Sequence, residues 1–419
     1  MPGPREDGLI RRGMLWLLLL GPLFFISYGL SNSFSASRND VGSLVFDWES
    51  AIPLLPWSIV PYWSIDLLYG LSFLLPRSRR EMDLHALRLL SAQLICIACF
   101  LLWPLRFTFE RPPLEGVFGA LFDLLMGFDK PYNQAPSLHI ALLVIIWAMF
   151  ARHTRGPWLR GLMHGWMALI GLSVLTTWQH HFIDLPSGAL AGFLCLWLWP
   201  RQGDLPLRTA HWQPSARRLG LAARYAIGAG LLASVAFTLR GAWLWLSWPG
   251  VALLMVALNY ALFGAAGFQK RADGSQSCAV RWLLAPYLAA AWVNSRLWTR
   301  RRPQPDEVCD GVYLGRLPGR GEASGFASVV DLCAELPMTP APGQHYRSLP
   351  SLDLVVPEAQ RCREAAEAIE TLRGEGPLLV CCALGYSRSA CAVVAWLLLS
   401  GRCKDTVSYT HLRAHETRG

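Results

Sequence analysis

The chain has 419 residues, 53% of them hydrophobic, with 19 tryptophans and a formal net charge of +9. That length implies two or more domains, and that composition points to a membrane protein whose aromatics can sit at headgroup level. Residues 1–303 carry 27 basic and 15 acidic side chains, whereas residues 304–406 carry 9 basic and 13 acidic, so the positive balance does not call for nucleic acid as a partner.

Apolar runs long or nearly long enough to span a bilayer cover Met14–Leu30, Pro56–Pro76, Leu87–Leu105, Leu138–Ala151, Gly161–Thr177, Ile183–Trp199, Leu219–Leu239 and Ala242–Ala266. Arg5, Arg11 and Arg12 precede the first run, and Arg77, Arg79 and Arg80 follow the second. Arg152, Arg155 and Arg160 follow the fourth, Arg201, Arg208, Arg217 and Arg218 the sixth, and Lys270 and Arg271 the eighth. Every second loop is basic, which predicts a cytoplasmic N-terminus and a cytoplasmic end to the eighth helix. The first run continues past any small-residue cleavage site and reads as a spanning helix, not a removable signal. The 11 cysteines form no paired framework. Cys96 and Cys99 read as core packing inside an apolar run, and the cluster of cysteines near the C-terminus suits a reducing compartment.

Trp282–Trp298 holds 14 uncharged residues between Arg281 and Arg296, Pro286 among them, too few to cross unaided. It reads as an interfacial helix anchored by Arg300, Arg301 and Arg302, which leaves everything after it cytoplasmic; a ninth span would reverse that. From Pro303 the texture becomes that of an α/β domain. Gly311–Gly315, Ala327–Leu332 and Pro377–Cys381 read as strands, and Pro357–Arg373 and Ser389–Ser400 as helices. No internal repeat is present.

The stretch Thr176–Asp184 is a polar knot between two apolar runs, and histidines and an aspartate at a membrane boundary are costly unless they do chemistry. His180 and Asp184 are four apart, a spacing that lets the carboxylate hold one ring nitrogen and leave the other free to attack. Arg106, Arg111, Asp129, Lys130, Asn133, Ser137 and His139 fall between the third and fourth helices or at their ends, on the same predicted non-cytoplasmic face. With Pro136-Ser137-Leu138-His139, Gln179-His180 and Asp184, roughly residues 40–200 resemble the type 2 phosphatidic acid phosphatase superfamily, and most closely its branch containing inositol phosphorylceramide synthases. The resemblance implies a six-helix core with His180 as nucleophile, Asp184 orienting it and His139 protonating the leaving alkoxide. Ser137, Arg106, Arg111 and Lys130 would hold phosphate oxygens. Pro104 and Val174 stand where that family carries a lysine and an arginine. Asp184 and His139 can also be read as helix caps, and His181 as a bystander.

A second motif, Cys382-Ala383-Leu384-Gly385-Tyr386-Ser387-Arg388-Ser389, lies between a buried strand and a helix. Backbone N–H groups at a helix start form a phosphate cradle, and an arginine fork grips two phosphate oxygens. A helix start also favours a thiolate, and a nearby hydroxyl such as Ser389 can stabilise it as it departs. Gly385 permits the tight turn. Residues 308–403 resemble dual-specificity and tyrosine phosphatases, and Leu314-Gly315-Arg316-Leu317-Pro318 and Val330-Asp331-Leu332 also fit that family's early strands. The resemblance implies Cys382 as nucleophile, Arg388 as phosphate ligand and Asp353 as general acid. Asp331, inside a strand signature, reads as structural, and Cys381 replaces the family's usual histidine.

Val407–Thr417 resembles the translation of a sequencing-library adapter, and on that reading the natural protein continues past Thr406. The expected architecture is therefore multi-domain. An all-α polytopic membrane bundle with a six-helix phosphatase core covers residues 1–218, and further membrane helices with an interfacial helix cover 219–303. An α/β cysteine-phosphatase domain covers 304–406, and residues 407–419 are set aside. The expected function is a bifunctional phosphatase that needs no metal or cofactor, in the bacterial inner membrane. Lipid phosphates would be its substrates on the periplasmic side, and phosphoproteins or phosphoinositide-type esters on the cytoplasmic side, with membrane lipids as its surroundings. A lipid headgroup phosphotransferase and a non-catalytic membrane anchor or lipid sensor are the alternatives.

Overall fold

The computed structural model describes residues 5–212 and 215–403, so the adapter-like tail lies outside the described residues. The chain divides into two compact units, Met1–Gln202 and Gly203–Gly419. The second unit holds both the helices from Ala216 to Trp298 and the sheet, which the sequence reading assigns to separate segments.

Among the described residues, five helices are long and apolar enough to cross a membrane: Leu9–Ala36, Arg79–Leu102, Pro157–Thr176, Ala216–Leu239 and the composite Gly241–Phe268. Their outer faces expose large hydrophobic residues such as Leu18, Phe25, Leu94, Leu172 and Leu231, as a lipid-facing surface does. Eight runs were expected on apolar length. Those at Pro56–Pro76, Leu138–Ala151 and Ile183–Trp199 form the shorter helices Ile59–Ser72, Leu138–His153 and Asp184–Leu198. The last two are short because each starts only after a polar loop that carries candidate site residues. A helix not anticipated from the sequence, Gly116–Phe128, lies in the segment expected to be a loop between the third and fourth spans. The segment 282–298 breaks at Leu284 into Cys278–Leu283 and the 14-residue helix Ala285–Trp298, and neither is long enough to cross.

In the first unit, two helix starts meet at the polar knot. Ser137 caps Leu138–His153, its hydroxyl accepting from Ile140 N–H at 3.3 Å. Asp184 begins the neighbouring helix, and its carbonyl accepts from Ser137 N–H at 3.2 Å. Two glycines make this approach possible. A Cβ on Gly188 would sit 2.5 Å from the Ser137 carbonyl oxygen, and one on Gly192 would sit 2.8 Å from that of Ala141. Small residues at i and i+4 let two helix backbones touch.

The second unit contains a five-stranded sheet of order β1-β2-β5-β3-β4, with β1 Asp306–Cys309, β2 Val312–Arg316, β3 Ser328–Cys333, β4 His345–Ser351 and β5 Leu378–Cys382. Only β1 is antiparallel to its neighbour. Strands β3 and β5 are wholly buried, and their residues alternate between the two faces. Val330 and Val380 pack with Ile369 of helix Ala359–Leu372 and with Val393 and Trp396 of helix Arg388–Leu399. Val329, Leu379 and Cys381 face the other way, with Leu336 and Met338, and Ala291 of helix Ala285–Trp298 packs on that side.

Candidate active sites

At the first site, Asp184 Oδ2 lies 3.1 Å from His180 Nδ1, and His180 Nε2 lies 3.2 Å from Ser137 Oγ. The same carboxylate oxygen accepts the backbone N–H of His181 at 3.1 Å. With the proton on Nδ1, the Nε2 lone pair is left for an electrophile. His139, two residues after Ser137, stacks on Tyr62 with ring centroids 4.3 Å apart and lies within electrostatic reach of His180. Its Nε2 is buried without a hydrogen-bond partner among the described residues. A buried polar atom left unpaired in this way is costly and marks where a ligand atom fits.

The basic residues expected here divide. Arg111 reaches the knot, where Nη2 donates to the Thr177 and Trp178 carbonyls at 3.0 Å each while its guanidinium lies over the Phe122 ring. Its buried Nε has no hydrogen-bond partner among the described residues. Arg106 and Lys130, also expected as phosphate ligands, are exposed. Val174 is fully buried, and its carbonyl accepts from the N–H groups of Gln179 and His180.

Four further acidic or phenolic groups meet at this site, and of these Tyr28, Tyr62 and Glu49 carry no recognisable sequence signal. Asp129 accepts from Tyr28 Oη at 2.7 Å and Tyr62 Oη at 3.4 Å, and burial raises its carboxyl above the usual range. Glu49, in a short 3₁₀ turn, meets His181 Nδ1 at 2.9 Å and the Phe182 N–H at 3.0 Å. His181 Nε2 also accepts from Thr108 N–H at 3.2 Å, and its ring stacks on Phe107. Both its nitrogens are engaged, so His181 is a structural post of the knot.

At the second site, β5 delivers Cys382 into the loop that starts helix Arg388–Leu399. Cys382 Sγ accepts from Gly385 N–H at 3.3 Å and from Ser389 Oγ at 3.2 Å. Gly385 has φ +81°, and a Cβ there would lie 2.6 Å from the Gly315 carbonyl carbon, so only glycine fits. Ala383 and Ser389 are buried, Leu384 is half-buried, and Tyr386 and Ser387 are exposed at the mouth of the loop.

Arg388 is wholly buried. Its Nη1 donates to Glu335 Oε2 at 2.7 Å and to the Ser351 carbonyl at 2.9 Å, and its Nη2 donates to Glu335 Oε1 at 2.6 Å. Asp353 Oδ1 lies 3.2 Å from Nη2, while Nε is buried with no hydrogen-bond partner among the described residues. Burial pushes the Asp353 carboxyl above its usual range, against the pull of Arg388. Burial also opposes ionisation of Glu335, but the charge and hydrogen bonds of Arg388 outweigh it and hold that carboxyl below the usual range. Glu335 lies in the loop after β3 and was not singled out from the sequence, because a lone acidic residue there resembles any surface charge. Asp331 is saturated by Lys270 Nζ at 2.6 Å, Tyr346 Oη at 2.7 Å and Cys333 N–H at 2.8 Å, as its structural reading requires. Lys270, expected as a membrane-surface charge, is instead fully buried in this ion pair.

The class that these observations define is a chain of apolar helices, suited to an integral membrane protein, joined to a small mixed α/β sheet. Comparison with protein-family models and with curated proteins finds no match for it.

Proposed function

We propose that the chain is a membrane phosphatase with two independent reaction centres, one built on His180 and one on Cys382. The observation that carries this reading is the Cys382 loop. A sulfur at the end of a buried strand is ringed by a backbone N–H and a hydroxyl, and an arginine on the next helix turn keeps one buried donor unspent. There the thiolate attacks phosphorus, forming an S–P bond as the P–O bond to the leaving group breaks, and Asp353 passes its proton to the departing oxygen. Water, deprotonated by Asp353, then cleaves the S–P bond while Ser389 stabilises the returning thiolate. At the membrane site His180 Nε2 attacks a lipid phosphate and His139 protonates the alkoxide. Asp184 steadies the imidazolium, and water releases phosphate from the phosphohistidine. The expected setting is a bacterial inner membrane with the His180 site periplasmic and the Cys382 site cytoplasmic.

The test is phosphate release by the full chain from phosphatidic acid and from p-nitrophenyl phosphate. His180→Ala should abolish only the first and Cys382→Ser only the second; retention of both activities by both variants ends the proposal. One observation favours a second reading of the membrane unit, as an anchor without chemistry: Arg106 and Lys130 are exposed, while Arg111 is bonded to the Thr177 and Trp178 carbonyls. A lipid profile unaltered by His180→Ala would select that reading.

A further inference from the structure

The loops that carry the Cys382 chemistry are held by residues of the apolar helices in the same unit. Tyr260, on the composite helix Gly241–Phe268, donates its hydroxyl to the Asp353 carbonyl at 3.0 Å. Lys270, just beyond that helix, donates to the carbonyls of Cys333 and Leu336 at 2.7 and 2.8 Å, and Gln276 Nε2 donates to that of Glu335 at 3.0 Å. Ser295, on helix Ala285–Trp298, donates to the Ala383 carbonyl at 2.5 Å. The Cys382 loop, the Asp353 loop and the loop that supplies the partner of Arg388 are thus all tied to one membrane-associated segment.

Aromatic residues pack beside this site. Tyr225, on helix Ala216–Leu239, stacks on Tyr260 at 5.6 Å and meets Tyr287 edge-on at 6.0 Å. Tyr225 and Tyr260 lie within electrostatic reach of both Glu335 and Asp353, and Tyr287 within reach of Glu335. Helix Ala285–Trp298 buries Ser295 toward the Ala383 carbonyl while exposing Trp292, Val293, Leu297 and Trp298, the last at 70%. Exposed tryptophans on a helix too short to span, set against spanning helices, are the pattern of a headgroup-level belt. Exposed Arg217 and Arg224 on Ala216–Leu239 add attraction for anionic lipid.

We infer that the Cys382 site acts on phosphomonoesters presented by a lipid surface, so that phosphorylated lipid headgroups, and not phosphoproteins, are its substrate class. This rests on the reading of Cys382 and Arg388 as a phosphatase centre. A substrate embedded in the bilayer meets the cradle at its own depth, whereas a soluble phosphopeptide must reach it against the membrane.

The experiment uses full-length His180→Ala protein, which removes the other centre, in phosphatidylcholine vesicles. Phosphate release is compared for vesicle-borne phosphatidylinositol 4-phosphate and phosphatidic acid, their deacylated headgroups in solution, and a phosphotyrosyl peptide, with His180→Ala/Cys382→Ser as the blank. The expected result is Cys382-dependent release from at least one vesicle lipid, about tenfold or more above its deacylated form at equal total phosphate, because anchoring raises the local concentration. Equal rates on lipid and deacylated headgroup, or a preference for the peptide, would overturn the substrate assignment while leaving the phosphatase reading intact. Absence of any Cys382-dependent release, p-nitrophenyl phosphate included, would overturn both.

Discussion

Arg388 and Glu335 form a planar, two-pronged ion pair inside the second unit, with contacts of 2.7 and 2.6 Å and the guanidinium wholly excluded from solvent. Removing one charge from such a pair leaves the other buried and uncompensated, at a cost of about 3–5 kcal/mol. Glu335→Gln is therefore expected to lower the thermal midpoint of the detergent-solubilised protein. The folded-state pKa of Glu335 lies below its unfolded value, so its stabilisation is complete above the ordinary carboxylate range and lost as pH falls through the lowered value. Midpoints measured from neutral to acidic pH should fall for the parent protein and change less for Glu335→Gln. Identical pH profiles would count against the ion pair as a stabilising element.

Asp353 shows the opposite shift. Its carboxyl is raised, mainly by burial, so it retains a donatable proton to higher pH and loses it as pH rises through the raised value. Hydrolysis of an unactivated aryl phosphate should decline on that alkaline side. Asp353→Asn should lower the rate by about 10²–10⁴-fold and remove the limb, with a smaller loss for p-nitrophenyl phosphate, whose leaving group needs less protonation. Tyr260→Phe frees the Asp353 carbonyl and should displace the same limb without abolishing turnover. A limb unmoved in both variants would assign the proton to another group.

Ser389 donates to the Cys382 sulfur, so its removal should slow release of the thiolate more than its attack. A charge-assisted hydrogen bond of about 1.5–3 kcal/mol corresponds to about a 10–100-fold effect. Ser389→Ala should accumulate a phosphocysteine detectable by rapid quench and mass spectrometry; a lower rate with no trapped intermediate would place the hydroxyl elsewhere in the cycle.

His180 and His181 are neighbours with different duties. His180→Ala should abolish lipid phosphate hydrolysis with little effect on stability. His181→Ala should destabilise the first unit, because it breaks the contacts to Glu49 and Thr108, yet leave turnover per folded molecule nearly unchanged. Equal kinetic losses in the two variants would merge the roles that the geometry separates.

Gly188→Ala places a Cβ against the Ser137 carbonyl, at 2.5 Å, and the Ile140 Cβ, at 2.9 Å. Such overpacking costs about 1–3 kcal/mol and prises apart the two helix starts that bring Ser137 to His180. Lipid turnover should fall while Cys382-dependent hydrolysis stays at its original level; an unaffected lipid reaction would show that this close approach is dispensable.

Much of this organisation was legible in the sequence because it rests on local rules. A buried strand followed by Cys-x₅-Arg and a helix specifies its own geometry, and i, i+4 spacing at a helix start brings His180 Nδ1 to Asp184. What sequence could not give were contacts set by tertiary packing. Glu49 lies 132 positions from His181 and Glu335 lies 53 from Arg388, and neither sits in a motif. The role of Lys270 was misread for the same reason: a lysine after an apolar run looks like a membrane anchor until Asp331 folds over it.

The Lys270–Asp331 contact bears on how the catalytic portion can be handled in isolation. A fragment beginning at the first strand would keep the aspartate, sealed beneath Tyr346, while discarding the cation that neutralises it, along with the glutamine and tyrosine that steady the adjoining loops. Such an excised piece is expected to be insoluble or inactive, and expression starting upstream of Ala216 to recover a working enzyme. The greasy helices are then as much a part of this unit's scaffold as the sheet itself.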